Sequence, residues 1–205
     1  MSQQDPRFKN QLPQEKSIGG YLKEYAAQLS QGIALVNSEE LNKAAEALEK
    51  AAKDGKRIYV AGNGGSAAIS DHLCCDFVKG AHADGHPPFK VQSLAATVPL
   101  LTAVANDFSY EECFSKQLEY YGEKGDVVVL ISSSGNSPNI IKAVEAAKAK
   151  GMKVIGLSGF EGGKLNKISD ISLYVPVKNY GIVEDAHQMI MHVLSQFIAR
   201  ARDGR

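Results

Sequence analysis

The chain of 205 residues has no tryptophan, only three cysteines, no surplus of either charge and no long apolar run. Each absence removes a class of function. Equal numbers of basic and acidic side chains, 23 of each, leave no global field to draw in nucleic acid or an anionic membrane. No apolar stretch approaches the roughly 20 residues a membrane span needs, and no charged stretch leads into an apolar core at the start. A cytoplasmic protein with no nucleic-acid and no membrane partner is therefore expected. Cys74, Cys75 and Cys113 are odd in number and lack C-x-x-C spacing, so they read as small buried hydrophobes.

What is present is an ordinary globular composition, 44% apolar and 22% charged, sized for one α/β domain. Residues 1–15 are polar, carry two prolines and show no period, which predicts a flexible arm ahead of a single domain over 16–205. From Ser17 to Val36 apolar residues recur at Ile18, Tyr21, Leu22, Tyr25, Leu29, Ile33 and Val36, the spacing of one helical stripe. Ser38-Glu39-Glu40 predicts a second helix capped by Ser38 and ended by Gly55. Such an N-terminal helical hairpin suits a lid or a face covered by a sister subunit.

The rest is organised around residues 57–66. Arg57-Ile58-Tyr59-Val60-Ala61 reads as a strand that empties into Gly62-Asn63-Gly64-Gly65-Ser66, where a helix begins. Glycines let a ligand approach the backbone, and a helix start offers unpaired N–H groups and a positive dipole end, so an anion, phosphate first, is the expected guest. No Lys-Ser or Lys-Thr follows, which removes nucleoside triphosphate chemistry. The G-x-G-x-x-A reading of 62–67 would suit a dinucleotide, but the second strand, 90–94, lacks the acid that would hold a ribose.

The same design repeats further on. Residues 126–131 form a continuous apolar run, as for a strand buried on both faces, and empty into Ser132-Ser133-Ser134-Gly135-Asn136-Ser137-Pro138 before a helix over 139–150. Hydroxyls and outward amides there make a second cradle for phosphate or sugar oxygens. Further strands at 153–157 and 171–176, helix-like stretches at 66–79, 97–105 and 110–121, and a last helix over 183–202 complete the alternation. It predicts a doubly wound five-stranded parallel sheet, a flavodoxin-like three-layer sandwich, with its ligand crevice at the strands' C-terminal ends.

Two helices carry polar groups where core would be expected. His72 and Asp76 share a face four residues apart, and Glu184 and His192, eight apart with His187 and Gln188 between, lie near one face of the last helix. Two imidazoles and two carboxylates beside one crevice could hold a divalent metal. By spacing alone, hydrogen-bonded structural histidines and a surface ion pair are the commoner explanation.

The ordered set Ala-Gly-Asn-Gly-Gly-Ser (61–66), His-x-x-x-acid (72–76), Ala-Asn-Asp (105–107), Ser-x-Ser-Gly-Asn-Ser (132–137) and a late acid-to-His helix (184–192) resembles the phosphoheptose isomerases of the sugar isomerase (SIS) domain family. The resemblance implies an aldose-ketose isomerase converting sedoheptulose 7-phosphate to a D-glycero-D-manno-heptose 7-phosphate for surface-polysaccharide heptose. It implies a homotetramer with zinc at subunit interfaces. By the same resemblance Asn63, Gly64, Gly65, Ser66, Asn106, Asp107, Ser132, Ser133, Ser134, Ser137 and Glu184 hold the phosphosugar. Zinc falls to His72, Asp76, Glu184 and His192, with Asp76 as base and His192 as acid. The family has glutamate at 76 and glutamine at 184. A base one methylene shorter can cost on the order of 100-fold if its carboxylate falls about 1 Å short, and an extra carboxylate tightens a metal while weakening it as a Lewis acid. A noncatalytic phosphosugar-binding or protein-docking SIS module is the alternative.

Overall fold

The computed structural model of the chain describes residues 11–204. The first ten residues of the expected arm lie outside these. The remainder of that stretch is tied down: the Gln11 N–H donates to the Lys178 carbonyl at 2.6 Å, and the Gln14 N–H to Glu24 at 3.0 Å.

Five strands form one sheet: β1 (Arg57–Gly62), β2 (Lys90–Ser93), β3 (Val127–Ser132), β4 (Lys153–Ser158) and β5 (Ile171–Tyr174), all parallel, in the order β2-β1-β3-β4-β5. The unbroken apolar run of β3 now has its reason. Val127, Val129 and Ile131 face one core and Val128 and Leu130 the other, so no position on the strand meets water. One core lies under α2 (Ser38–Lys53), α3 (Gly65–Cys75) and α8 (Tyr180–Arg202). The other lies under α5 (Ser115–Tyr121), α6 (Pro138–Ala149) and α7 (Gly163–Ile168), with α4 (Val98–Asp107) beside it. This is the expected three-layer sandwich.

Several local readings need correction. Asn37 caps α2, its Oδ1 accepting from the Glu39 and Glu40 N–H groups, so Ser38 is already inside the helix. Helix α2 is neither lid nor free hairpin arm: Ala44, Ala45, Leu48, Ala51 and Ala52 are buried against the sheet. Helix α1 (Ile18–Ala34), capped by Ser17, packs on α8, where the Tyr25 hydroxyl donates to Asp185 at 2.7 Å, and sets Leu29 and Ile33 against the core but leaves Ile18 and Leu22 exposed. The helix expected at 110–121 is split into a 3-10 turn, Tyr110–Glu112, and α5. Helix α7, six residues opening on two glycines, has no apolar period long enough to be read. Of the cysteines only Cys113 is buried; Cys75 is exposed.

Between β1 and β3 the chain reverses its direction of winding, and the loops after these two strands diverge. In an open parallel sheet that is where a crevice forms at the carboxyl edge, and both glycine- and serine-rich loops lie there.

Candidate active site

The first loop, 62–66, folds as a turn that starts α3. Gly64 has φ +56 in a region that L side chains resist, and the Ser66 N–H closes onto the Asn63 carbonyl at 3.0 Å. The second loop, 132–138, turns at Gly135, whose φ is +67 and whose absent Cβ would lie 2.0 Å from the Gly162 carbonyl oxygen. Its hydroxyls are partly spent on the loop itself: Ser132 and Ser137 Oγ are 2.9 Å apart, and Ser134 Oγ accepts from the Asn136 N–H. Ser133 Oγ is buried with no partner. Asn106 and Asp107 bond to one another at the exposed end of α4.

Two residues that sequence reasoning did not single out join these loops. Asn139, in the first turn of α6, exchanges two hydrogen bonds with Asn63, and the Tyr110 hydroxyl donates to Asn63 Oδ1 at 2.9 Å. A polar residue just inside a helix, where its amide would otherwise compete with the backbone, was the available signal for Asn139.

On the helix side, α3 and α8 bring His72, Asp76 and His192 together, one ligand atom from each lying within 4.8 Å of the others. The His72 and His192 Nε2 atoms are 2.9 Å apart, and the two oxygens of Asp76 lie 3.4 Å from one imidazole each. Short as it is, the Asp76 side chain reaches both rings. It stands where α3 passes into a π-turn over Asp76–Gly80, a local widening that recurs at functional sites. Gln188, one turn before His192, is 3.2 Å from the same Nε2. A cavity of about 290 Å³ opens beside Asp76 and His192. A divalent cation fits this set: two imidazole nitrogens and a carboxylate suit zinc, and the buried Oδ2 of Asp76 lacks a hydrogen-bond partner that a cation would replace.

Glu184 is not part of this group, contrary to the four-ligand set implied by resemblance. Eight residues of helix, about 12 Å, separate it from His192. Its carboxylate lies instead over the start of α3, where a Cβ on Gly65 would meet Oε2 at 2.5 Å, and burial, with Asp185 adding, raises its carboxyl. On the same helix His187 is wholly buried with neither ring nitrogen bonded, and burial pushes its imidazole down to about 4, the Ser158 backbone opposing only in part.

A larger hollow of about 500 Å³ lies at the opposite edge of the sheet, walled by Lys50, Lys56, Lys148 and Lys153. The C-terminal ends of α2 and α6 point there, and lysines at those ends neutralise the negative ends of the dipoles, so the hollow has a structural explanation.

Two glycine- and serine-rich loops at a sheet's switch point, with a His/Asp cluster between α8 and the helix that the first loop starts, define a SIS-domain protein. The chain belongs to that family, whose model, described as SIS domain, matches residues 20–159. More narrowly, it belongs with the family's phosphoheptose isomerases. It is 40% identical over 149 residues to the phosphoheptose isomerase of Aneurinibacillus thermoaerophilus, covering 73% of this chain and 75% of that one. The solved phosphoheptose isomerase GmhA of Neisseria gonorrhoeae superposes with a TM-score of 0.81 at 30% identity, over 88% of this chain and 96% of that one. The phosphoheptose isomerase of Francisella tularensis gives 0.82 at 30% identity, over 89% and 96%.

Proposed function

We propose that the chain interconverts sedoheptulose 7-phosphate and D-glycero-D-manno-heptose 7-phosphate, a step toward surface-polysaccharide heptose, in a zinc-dependent homotetramer of the cytoplasm. The observation that carries this is the convergence of His72, Asp76 and His192 between α8 and α3, the helix started by the first of two anion-suited loops. The loops hold the phosphorylated end: Ser132, Ser133, Ser134 and Ser137 offer hydroxyls, and Ser66 with Gly64 and Gly65 offers the start of α3. Asn106 and Asp107 supply sugar contacts from the end of α4.

Asp76 removes the proton from the hydroxyl-bearing carbon next to the carbonyl, the carbonyl oxygen takes up a proton to give the enediol, and His192 returns a proton to the former carbonyl carbon as the other enediol hydroxyl gives up its own to become the new carbonyl. His72, Asp76 and His192 would hold the divalent ion, which supplies Lewis-acid polarisation of the sugar's oxygens when bound. Glu184, whose carboxylate lies over Gly65, serves in this reading as a substrate contact and not as a ligand of the ion.

Met189, Val193 and Phe197, exposed at four-residue spacing on α8, and Ile18 and Leu22 on α1 support the subunit contacts of a tetramer. Three free cysteines suit a reducing compartment. Among the described residues no helix is long and apolar enough to cross a membrane. The docking-module alternative has no specific observation in its favour.

The test is direct. Purified protein with added zinc is given sedoheptulose 7-phosphate, and the aldose is sought by chromatography. Turnover that is lost on chelation and restored by zinc supports the proposal, and no aldose at any enzyme concentration ends it.

A further inference from the structure

We infer that Asn139 is a positioning residue that locks the two loops of the crevice into one rigid cradle, and that the Asn63 side chain acts through it, not on the ligand. The inference rests on the phosphosugar reading above.

The two amides form a reciprocal pair. Asn63 Nδ2 donates to Asn139 Oδ1 at 2.9 Å, and Asn139 Nδ2 donates to Asn63 Oδ1 at 2.8 Å. These bonds join segments 76 residues apart in the chain, one after β1 and one after β3. Asn139 is 2% exposed. Its orientation is set by its neighbours: the Ile140 N–H donates to Oδ1 at 3.0 Å, and Nδ2 also reaches Cys113 Sγ at 3.4 Å. Flipping the Asn139 amide alone would set N–H against N–H and oxygen against oxygen.

A carboxamide has two acceptor lone pairs and two N–H groups. Asn63 Oδ1 spends both lone pairs, on Asn139 and on the Tyr110 hydroxyl, and Nδ2 spends one N–H. The Asn63 side chain therefore has no acceptor left for a sugar hydroxyl and one N–H at most for a phosphate oxygen. That revises the direct substrate contact expected of it by resemblance.

The need for such a tie follows from the topology. Each loop turns on a glycine at positive φ, Gly64 or Gly135, and the two diverge at the switch point. Separately they can breathe, and a shared anion would have to order both on binding. An amide pair across the gap meets that ordering cost during folding, which is what preorganisation means in affinity. Tyr110, from the 3-10 turn ahead of α5, extends the tie to a third segment.

The experiment uses the full chain with zinc and compares Asn63→Ala, Asn139→Ala, their double variant and Tyr110→Phe. Inorganic phosphate binding is read by calorimetry, KM and kcat with sedoheptulose 7-phosphate, and the Tm of each protein. Losing the reciprocal bonds weakens phosphate binding and raises KM by about tenfold, with kcat changed less than about threefold. The double variant is no worse than the worse single one, and Tyr110→Phe costs about two- to threefold.

If Asn63→Ala loses much more than Asn139→Ala and the effects multiply, Asn63 acts on the ligand and the inference falls. It falls equally if Asn139→Ala lowers Tm while phosphate affinity and KM stay unchanged. Should Asn139→Ala not fold, Asn139→Asp keeps the volume and the acceptor but sets a carboxylate oxygen against Asn63 Oδ1, with the same tenfold loss expected and unchanged affinity overturning the idea. A wild-type protein that binds phosphate but makes no aldose refutes the functional reading, and the phosphate series still judges the tie.

Discussion

On the loop side of the crevice most polar side chains already have partners: Asn63 with Asn139 and Tyr110, Ser132 with Ser137, Ser134 with Asn136. On the helix side, two imidazole nitrogens sit 2.9 Å apart and a buried carboxylate oxygen of Asp76 has no hydrogen bond. One half is mostly finished by folding, Ser133 Oγ excepted, and the other is completed only by a proton or a cation. The difference teaches how one crevice divides its work. The loops hold shape at a cost met in folding, so changes there reach stability and affinity. The helices hold reactive groups that folding leaves unsatisfied, so changes there reach turnover and leave stability alone.

The sharpest break of this comparison is His192→Ala. Loss of the proposed acid lowers kcat by about 100- to 10,000-fold, while the Tm of the metal-free protein changes little because the removed ring is part-exposed. A large fall in Tm would show that the helix side is structural after all.

Next comes His187, five residues earlier on the same helix and buried where His192 is part-exposed. It folds as the neutral ring. With its imidazole pushed from 6.5 to about 4, the unfolded chain binds a proton that the folded one refuses, so stability is complete above about pH 6.5 and is lost as pH falls toward 4. The full loss is about 3 kcal/mol. Urea unfolding at pH 7 and pH 4.5 measures it, and His187→Leu flattens that pH dependence.

The two loop glycines sharpen the comparison within the loop side. Gly135→Ala combines a φ of +67 with a Cβ 2.0 Å from the Gly162 oxygen. It destabilises by at least about 2 kcal/mol in denaturant unfolding. Gly64→Ala has a φ of +56 but nothing within 4 Å of the new methyl. With ψ −121 its backbone lies outside the left-handed helical region, in one essentially confined to glycine, so the conformation alone costs about 1–3 kcal/mol, less than at Gly135 where a backbone clash is added. Equal effects would mean that Gly135 is not pressed against Gly162 in solution.

Much of this protein could be read from residue order, for local reasons. Val127 to Ile131, apolar without interruption, has to be a strand covered on both faces, and three glycines in four residues between a strand and a helix predict a tight turn at the helix start, the type of loop that suits an anion. Both properties lie within a few residues of chain. What could not be read depends on residues far apart. The pairing of Asn63 with Asn139 spans 76 positions and exists because β1 and β3 are neighbours in the sheet. The grouping of His72 and Asp76 with His192, and the separation of Glu184 from them, were decided by how α8 lies along α3. Spacing on a helix says which side chains share a face. Only packing says which other face they meet, because burial of the two cores sets that approach and short-range pattern does not encode it.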